Sequence, residues 1–253
     1  MRTDEREVGH AYSAPAVDKA FEIIELVSGE LGGLTVTDMA LRLHRSTSQI
    51  YRIVLSLHRL GILRRNEQTD RYELALKLFE LATRHPPLKN MIHHGGPILA
   101  RLAGATDQSC HLATVTGTSL IILAQADSPM PMHYTVKLGS RFPAMETSSG
   151  VVIAAHYPPN RQHMLLTEFS AQQQALFQRR FEEVLRNKYE RRESDVTAGV
   201  INLSSAVLDA SNNPIGALTV PFLPQRRMRM EVDEVLGKVV AAAEELTAIM
   251  QYV

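Results

Sequence analysis

"HRSTSQIYRIVLSLHRLGILRR" spans residues 44–65 and decides how the first third of the chain reads. From Met39 to Asn66 there are six arginines and no acid, and the next acid is Glu67. The whole chain carries 27 basic and 27 acidic residues, so this one-sidedness is local rather than a property of the composition. Ile50, Ile53, Val54 and Leu57 recur at helical spacing, which predicts a helix from about Thr47 to Leu60 with one apolar face. Gly61 follows where a helix C-terminal glycine belongs.

Working outward, Val17, Ala20, Phe21, Ile24 and Val27 predict an earlier helix that stops near Ser28-Gly29. Thr35 or Thr37 can cap a short second helix carrying Met39, Ala40 and Leu43, and a polar turn at His44–Ser46 leads into the third. Downstream, Ile62–Arg65 and Arg71–Leu74 flank a polar turn at Glu67–Asp70 and read as a hairpin. Leu76–Thr83 adds a short helix, and His85-Pro86-Pro87 breaks it. Helix, helix, turn, helix, hairpin is the order of a winged helix-turn-helix.

In that arrangement the third helix enters the major groove of DNA by its N-terminal end. That end offers Ser46, Thr47, Ser48, Gln49, Tyr51 and Arg52. Gln pairs with adenine and Arg with guanine, while hydroxyls and N–H groups suit phosphate. Arg64 and Arg65 on the hairpin can reach the backbone or minor groove. A basic helical face is also what a merely solvated helix shows, so the weight falls on the ordered elements together with the acid-free window.

The rest of the chain reads differently. Residues 1–13 look like a flexible lead-in and 14–84 like the winged helix domain. Residues 85–103 look like a linker helix, interrupted or restarted at Gly95-Gly96-Pro97, and 104–253 like a mixed α+β domain. Cys110–Val115 with Leu120–Ala126, and Ile201–Asp209 with Ile215–Val220, predict two hairpins, and His133–Lys137 a further strand. Helices are expected near Thr147–His156, Ala171–Arg191 and Glu231–Gln251. The fold class is therefore α+β, with an antiparallel sheet.

Cys110 is the only cysteine, which excludes an intrachain disulfide. There is no apolar signal region and no stretch long enough to span a bilayer, so a cytoplasmic protein without membrane contact is expected. No zinc-binding His-Glu-x-x-His or Cys-x-x-Cys appears, and no P-loop, nucleophile elbow or Gly-x-Gly-x-x-Gly. No catalytic residue, metal or cofactor is expected. Thr147-Ser148-Ser149-Gly150 places hydroxyls and a glycine at a helix start, where free N–H groups and the dipole favour an anion. Gly150 would let a ligand approach the backbone closely. An ordinary capped helix has the same composition, and the residues alone leave both readings open.

"SAPAVDKAFEIIELV", "LTVTDMALRLHRSTSQIYRIVLSLHRLGILRR" and "RYELALKLFELA" resemble the winged-helix domain of the IclR family of bacterial transcription regulators. "KLGSRFPAMETSSGVVIAA" and "LDASNNPIGALTV" resemble segments of its second domain, and the likeness covers roughly residues 14–250. The chain departs from the family's frequent turn glycine at His44 and from its Pro-Lys at Ser46-Thr47. The family's frequent Gly-Lys-Ala is here Gly150-Val151-Val152. The resemblance implies a GAF-like effector-binding domain that senses a small carboxylate or aromatic acid. It implies a pocket built from Tyr134 on a strand, Phe142, Ser148, Ser149, Asn202 and Thr219. It also implies a homodimer, or a dimer of dimers, on a palindromic double-stranded operator, with the 88–103 segment as a dimer contact. Two other readings stand beside it. One is a methyltransferase-type enzyme using the winged helix to dimerise, which needs a cofactor loop on a parallel sheet. The other is a DNA-binding protein whose second domain only oligomerises.

Overall fold

The computed structural model describes residues 14–226 and 229–252, so the expected lead-in at 1–13 lies outside the described residues. The described residues divide into two compact units, one ending at His85 and the other starting at Pro86.

In the first unit, α1 (Pro15–Ser28) starts on a proline at its first turn and buries Ile23, Ile24 and Val27. The second helix, α2 (Val36–Arg42), is held by a capping box. The Thr35 hydroxyl accepts from the Asp38 N–H, and the Asp38 carboxylate accepts from the Thr35 N–H, both at 3.1 Å. His44 turns the chain at φ 52, the left-handed region that the family's usual glycine enters without strain. The third helix, α3 (Thr47–Arg59), buries Ile50, Val54 and Leu57 against Met39, Ile23 and Leu63 in one core. The wing is β1 (Leu63–Asn66) paired antiparallel with β2 (Arg71–Leu74). An isolated bridge joins Tyr72 to Leu34, so the stretch between α1 and α2 borders the wing. A short α4 (Lys77–Thr83) closes the unit and buries no residue of its own.

The second unit opens with α5 (Pro86–Thr106), which runs unbroken through Pro97. The expected interruption at Gly95-Gly96-Pro97 is absent because packing holds the helix there. Gly95 sits so close to Leu112 that an added Cβ would lie 2.9 Å from it, and Ile98 and Leu99 are buried one turn on. From Met91 onward α5 contributes to the core of this unit.

Six strands form one antiparallel sheet in the order β5-β4-β3-β8-β7-β6. They are β3 (Cys110–Thr116), β4 (Ser119–Ala126), β5 (Arg141–Pro143), β6 (Glu190–Glu193), β7 (Ile201–Leu208) and β8 (Pro214–Phe222). One face packs on α5 and α9 (Val232–Met250) through Leu99, Leu112, Leu203, Leu218, Val239 and Leu246. The other face packs on α6 (Ser148–Ala155) and α8 (Ala171–Asn187) through Leu120, Ile122, Ile153 and Phe181. All pairings are antiparallel, which removes the parallel-sheet architecture that the methyltransferase reading required.

Two expectations fail here, and one helix is added. His133–Lys137 forms no strand: the outer edge of β4 is paired over Ser119–Ile122 by β5, Ser140 and Gly139, and the pairing does not extend back to 133–137. The helix from Ala171 ends at Asn187 rather than Arg191. Lys188 turns left-handed at φ 70, its N–H bonds the Val184 carbonyl, and the chain leaves as β6. A short helix, α7 (Pro159–Leu166), was not anticipated. No described helix is long and apolar enough to cross a membrane.

Candidate functional sites: a reading helix and an open cavity

All eight residues expected on the DNA face are exposed: Ser46, Thr47, Ser48, Gln49, Tyr51, Arg52, Arg64 and Arg65. Ser46 stands at the N-cap of α3, but its hydroxyl lies 3.3 Å from that of Ser48 and caps nothing. The Gln49 N–H bonds back to the Ser46 carbonyl at 3.1 Å, so the Thr47 and Ser48 N–H groups are the ones left to an outside acceptor, which phosphate can supply.

Folding partly cancels the charge segregation seen along the chain. Arg42 pairs with Glu30, and Arg45 grips Glu22 with contacts of 2.7, 2.9 and 3.1 Å. On the wing, Arg64 pairs with Glu73 at 2.7 Å and Arg65 with Asp70 at 2.6 Å. The acids come from α1, the segment after it, and the returning half of the hairpin, so the linear window did not reveal them. Exposed pairs of this kind are worth about 0–1 kcal/mol, so phosphate can displace the wing acids. Arg52 and Arg59 have no ion-pair partner among the described residues.

In the second unit, six of the seven residues expected at a ligand site line one cavity: Tyr134, Phe142, Ser148, Ser149, Asn202 and Thr219. The empty space is about 640 Å³, its open mouth included. Tyr134 reaches it from coil rather than a strand and is tied by its hydroxyl to Thr197 Oγ1 at 3.2 Å. Leu120, Ile122, Val136 and Phe142 give it an apolar side.

Gly150 does not line the cavity. A Cβ there would sit 1.9 Å from the Ala144 carbonyl oxygen, so the glycine lets α6 press on the 3₁₀ turn at Ala144–Glu146. Its place is explained by packing, not by a ligand. Thr147 caps the helix by accepting from the Gly150 N–H at 3.0 Å and donating to the Ala144 carbonyl at 2.9 Å.

The expected hydroxyls divide into two sets. Ser149 and Thr219 lie 2.8 Å apart, and Thr219 lies 2.8 Å from Ser204, which makes a buried chain of hydroxyls. His111 closes that chain, 3.4 Å from Ser149. Burial pulls its imidazole pKa down to about 4, so it is neutral at pH 7. The Ser148 hydroxyl and the Asn202 amide also face the cavity, and neither has a hydrogen-bond partner among the described residues.

Sequence reading missed His111, Arg180, Arg192 and the acids Glu146, Glu193 and Asp195, all of which border the cavity. His111 is a lone histidine in an apolar strand, and its cross-strand partner Thr219 lies far along the chain. Arg180 did carry a signal: it falls on the apolar stripe formed by Phe177, Phe181 and Val184. Reading Ala171–Arg191 as one charged helix hid both that and the strand bearing Arg192. No group of three or more potential metal ligands occurs among the described residues.

Residues 16–67 match the IclR helix-turn-helix domain, and residues 88–248 match the C-terminal domain of the bacterial transcriptional regulator IclR. The chain belongs to the IclR family of bacterial transcription regulators. Among IclR-family relatives, it is 23% identical to the HTH-type transcriptional regulator KdgR of Escherichia coli, over 95% of this chain and 94% of that one. It is 21% identical to the glycerol operon regulatory protein of Streptomyces coelicolor, covering 87% and 89% of the two chains. The Thermotoga maritima IclR structure matches with a TM-score of 0.71 at 19% identity, covering 93% of this chain and 98% of that one. An IclR homologue from Microbacterium hydrocarbonoxydans, solved in complex with 4-hydroxybenzoate, matches with a TM-score of 0.77 at 18% identity, over 93% and 98%. At these identities the structures speak for the fold, and the fold is the IclR fold: a helix-turn-helix unit followed by a sheet-and-helix unit.

Proposed function

We propose that this DNA-binding regulator reads its operator with the N-terminal end of α3 and adjusts its affinity when the C-terminal cavity takes up a small organic acid. Arg52 and Gln49 meet base edges, Ser46, Thr47, Ser48 and Tyr51 meet the backbone, and Arg64 and Arg65 trade their acids for phosphate. A homodimer, or a pair of dimers, sets two such helices on the halves of a palindromic site in the cytoplasm. Neither catalysis nor a metal or cofactor enters this account.

One observation supports the effector reading above the others. The cavity presents polar groups without protein partners among the described residues, the Ser148 hydroxyl and the Asn202 amide, beside the N-terminus of α6 and an apolar wall. A carboxylate at the helix start and an aromatic or aliphatic body against Phe142 and Leu120 would satisfy both. The 4-hydroxybenzoate bound by the Microbacterium homologue is an acid of this kind. A domain that only oligomerises has no need of such a cavity.

A thermal-shift screen of the full-length protein against small aromatic and hydroxy acids tests this. At a hundred times Kd a ligand stabilises by about 2.7 kcal/mol, a rise of roughly 5–10 °C in Tm. No stabilisation by any acid, with a rise from an unrelated class of compound, would defeat the organic-acid assignment.

A further inference from the structure

The guanidinium of Arg180 has no part in the account so far. The residue sits on the apolar stripe of α8 and is only 9% exposed. Its Nε donates to Glu190 Oε1 at 2.7 Å and its Nη2 to Glu190 Oε2 at 3.0 Å. Two parallel bonds fix the plane of the guanidinium. Arg180 also lines the cavity, and its Nη1 has no hydrogen-bond partner among the described residues. An apolar pair of similar size would build this wall at equal or lower free-energy cost, so the buried ion pair asks for a reason other than stability. Because Glu190 already balances the charge, the unused N–H face can donate to an acceptor oxygen in the cavity, whether charged or neutral. That donor comes from α8 and is independent of the donors at the start of α6.

We propose that Arg180 is a second ligand anchor of the cavity and selects acids that carry a further oxygen acceptor, a hydroxyl, carbonyl or second carboxylate. This rests on the effector reading of the same cavity. A simple monocarboxylate would leave one of the two donor sets unmatched in a buried site, and such a mismatch costs binding.

Two matched series of probes test the assignment by calorimetry on the full-length chain. One is benzoate, 4-hydroxybenzoate and benzene-1,4-dicarboxylate; the other is butanoate, 4-hydroxybutanoate and butanedioate. In at least one series the wild type should bind a two-ended acid about tenfold or more tightly than the simple acid. Arg180→Lys keeps the charge but loses the fork, and should cut that preference to about threefold or less. A double variant, Arg180→Met with Glu190→Met, avoids orphaning a buried carboxylate and should behave the same way. A wild type that binds these acids without preference, or a preference that survives both variants, overturns the Arg180 assignment and leaves the effector reading standing. Silence of the wild type toward all six probes overturns both.

Discussion

Arg52 differs from most of its neighbours in having no acid to hold it among the described residues. Four of the six arginines between Arg42 and Arg65 are ion-paired, and Arg59 sits in the last turn of α3, where a cation complements the helix dipole. Arg52→Ala is expected to weaken operator binding by about 1–3 kcal/mol and to relax selectivity at one base position, as read by anisotropy on a set of single-base operator variants. A uniform loss across all variants would make it a phosphate contact instead. Arg64→Ala and Arg65→Ala should give smaller, sequence-independent losses and a shallower salt dependence, because each arginine must first leave its acid. In the second unit, His111 makes folding pH-dependent. Its pKa falls from 6.5 to about 4 on burial. Between those values the unfolded chain takes up a proton that the folded chain refuses. Its contribution is therefore complete above the unfolded pKa and is lost as pH falls toward the folded one, by about 3 kcal/mol in all. His111→Asn, which keeps a hydrogen-bonding group, should flatten the acid limb of stability measured by urea unfolding between pH 7 and 4.5. Parallel profiles for the two proteins would place the acid sensitivity elsewhere.

At the scale of the element, α6 shows how one short segment can be read two ways. Its small residues suggest both a close backbone approach and a ligand site, and the structure separates these roles. Gly150 faces the Ala144 carbonyl, Thr147 caps, Ser149 joins a buried hydroxyl chain, and Ser148 faces the cavity. Gly150→Ala should destabilise the protein by about 1–3 kcal/mol through overpacking. Ser148→Ala should change stability little and weaken acid binding. The reverse pattern, a stable Gly150→Ala protein with impaired binding, would return the glycine to the ligand site. The same contrast explains what could be read from the chain. α3, the wing and both long hairpins carry their own periodicity and turn residues, so they were legible. The end of α8 was not, because Lys188 adopts a left-handed cap without being glycine, and β6 is a run of charges whose strand character comes only from pairing with β7. His133–Lys137 has strand-like residues, but the pairing along the β4 edge stops at Gly139 and does not reach them.

For the whole molecule, the family was legible as a resemblance carried by several segments in order along the chain, and the matches at 16–67 and 88–248 show that family. The cavity was legible only in part. Six of its residues could be placed by resemblance, whereas His111, Arg180 and Arg192 reach it through strand pairing and helix packing that a linear reading does not contain. Regulation requires the acid to bind two states of the protein with different affinity, since equal affinity shifts nothing. The most direct test is selection of duplexes from a randomised pool by the full-length protein, with and without an acid that raises its Tm. The account predicts enrichment of an inverted repeat with half-site centres about one helical turn, or a multiple of it, apart. It further predicts that the acid changes affinity for that repeat and that Arg52→Ala degrades the consensus at one position per half-site. A pool that shows no enrichment in either condition would contradict it.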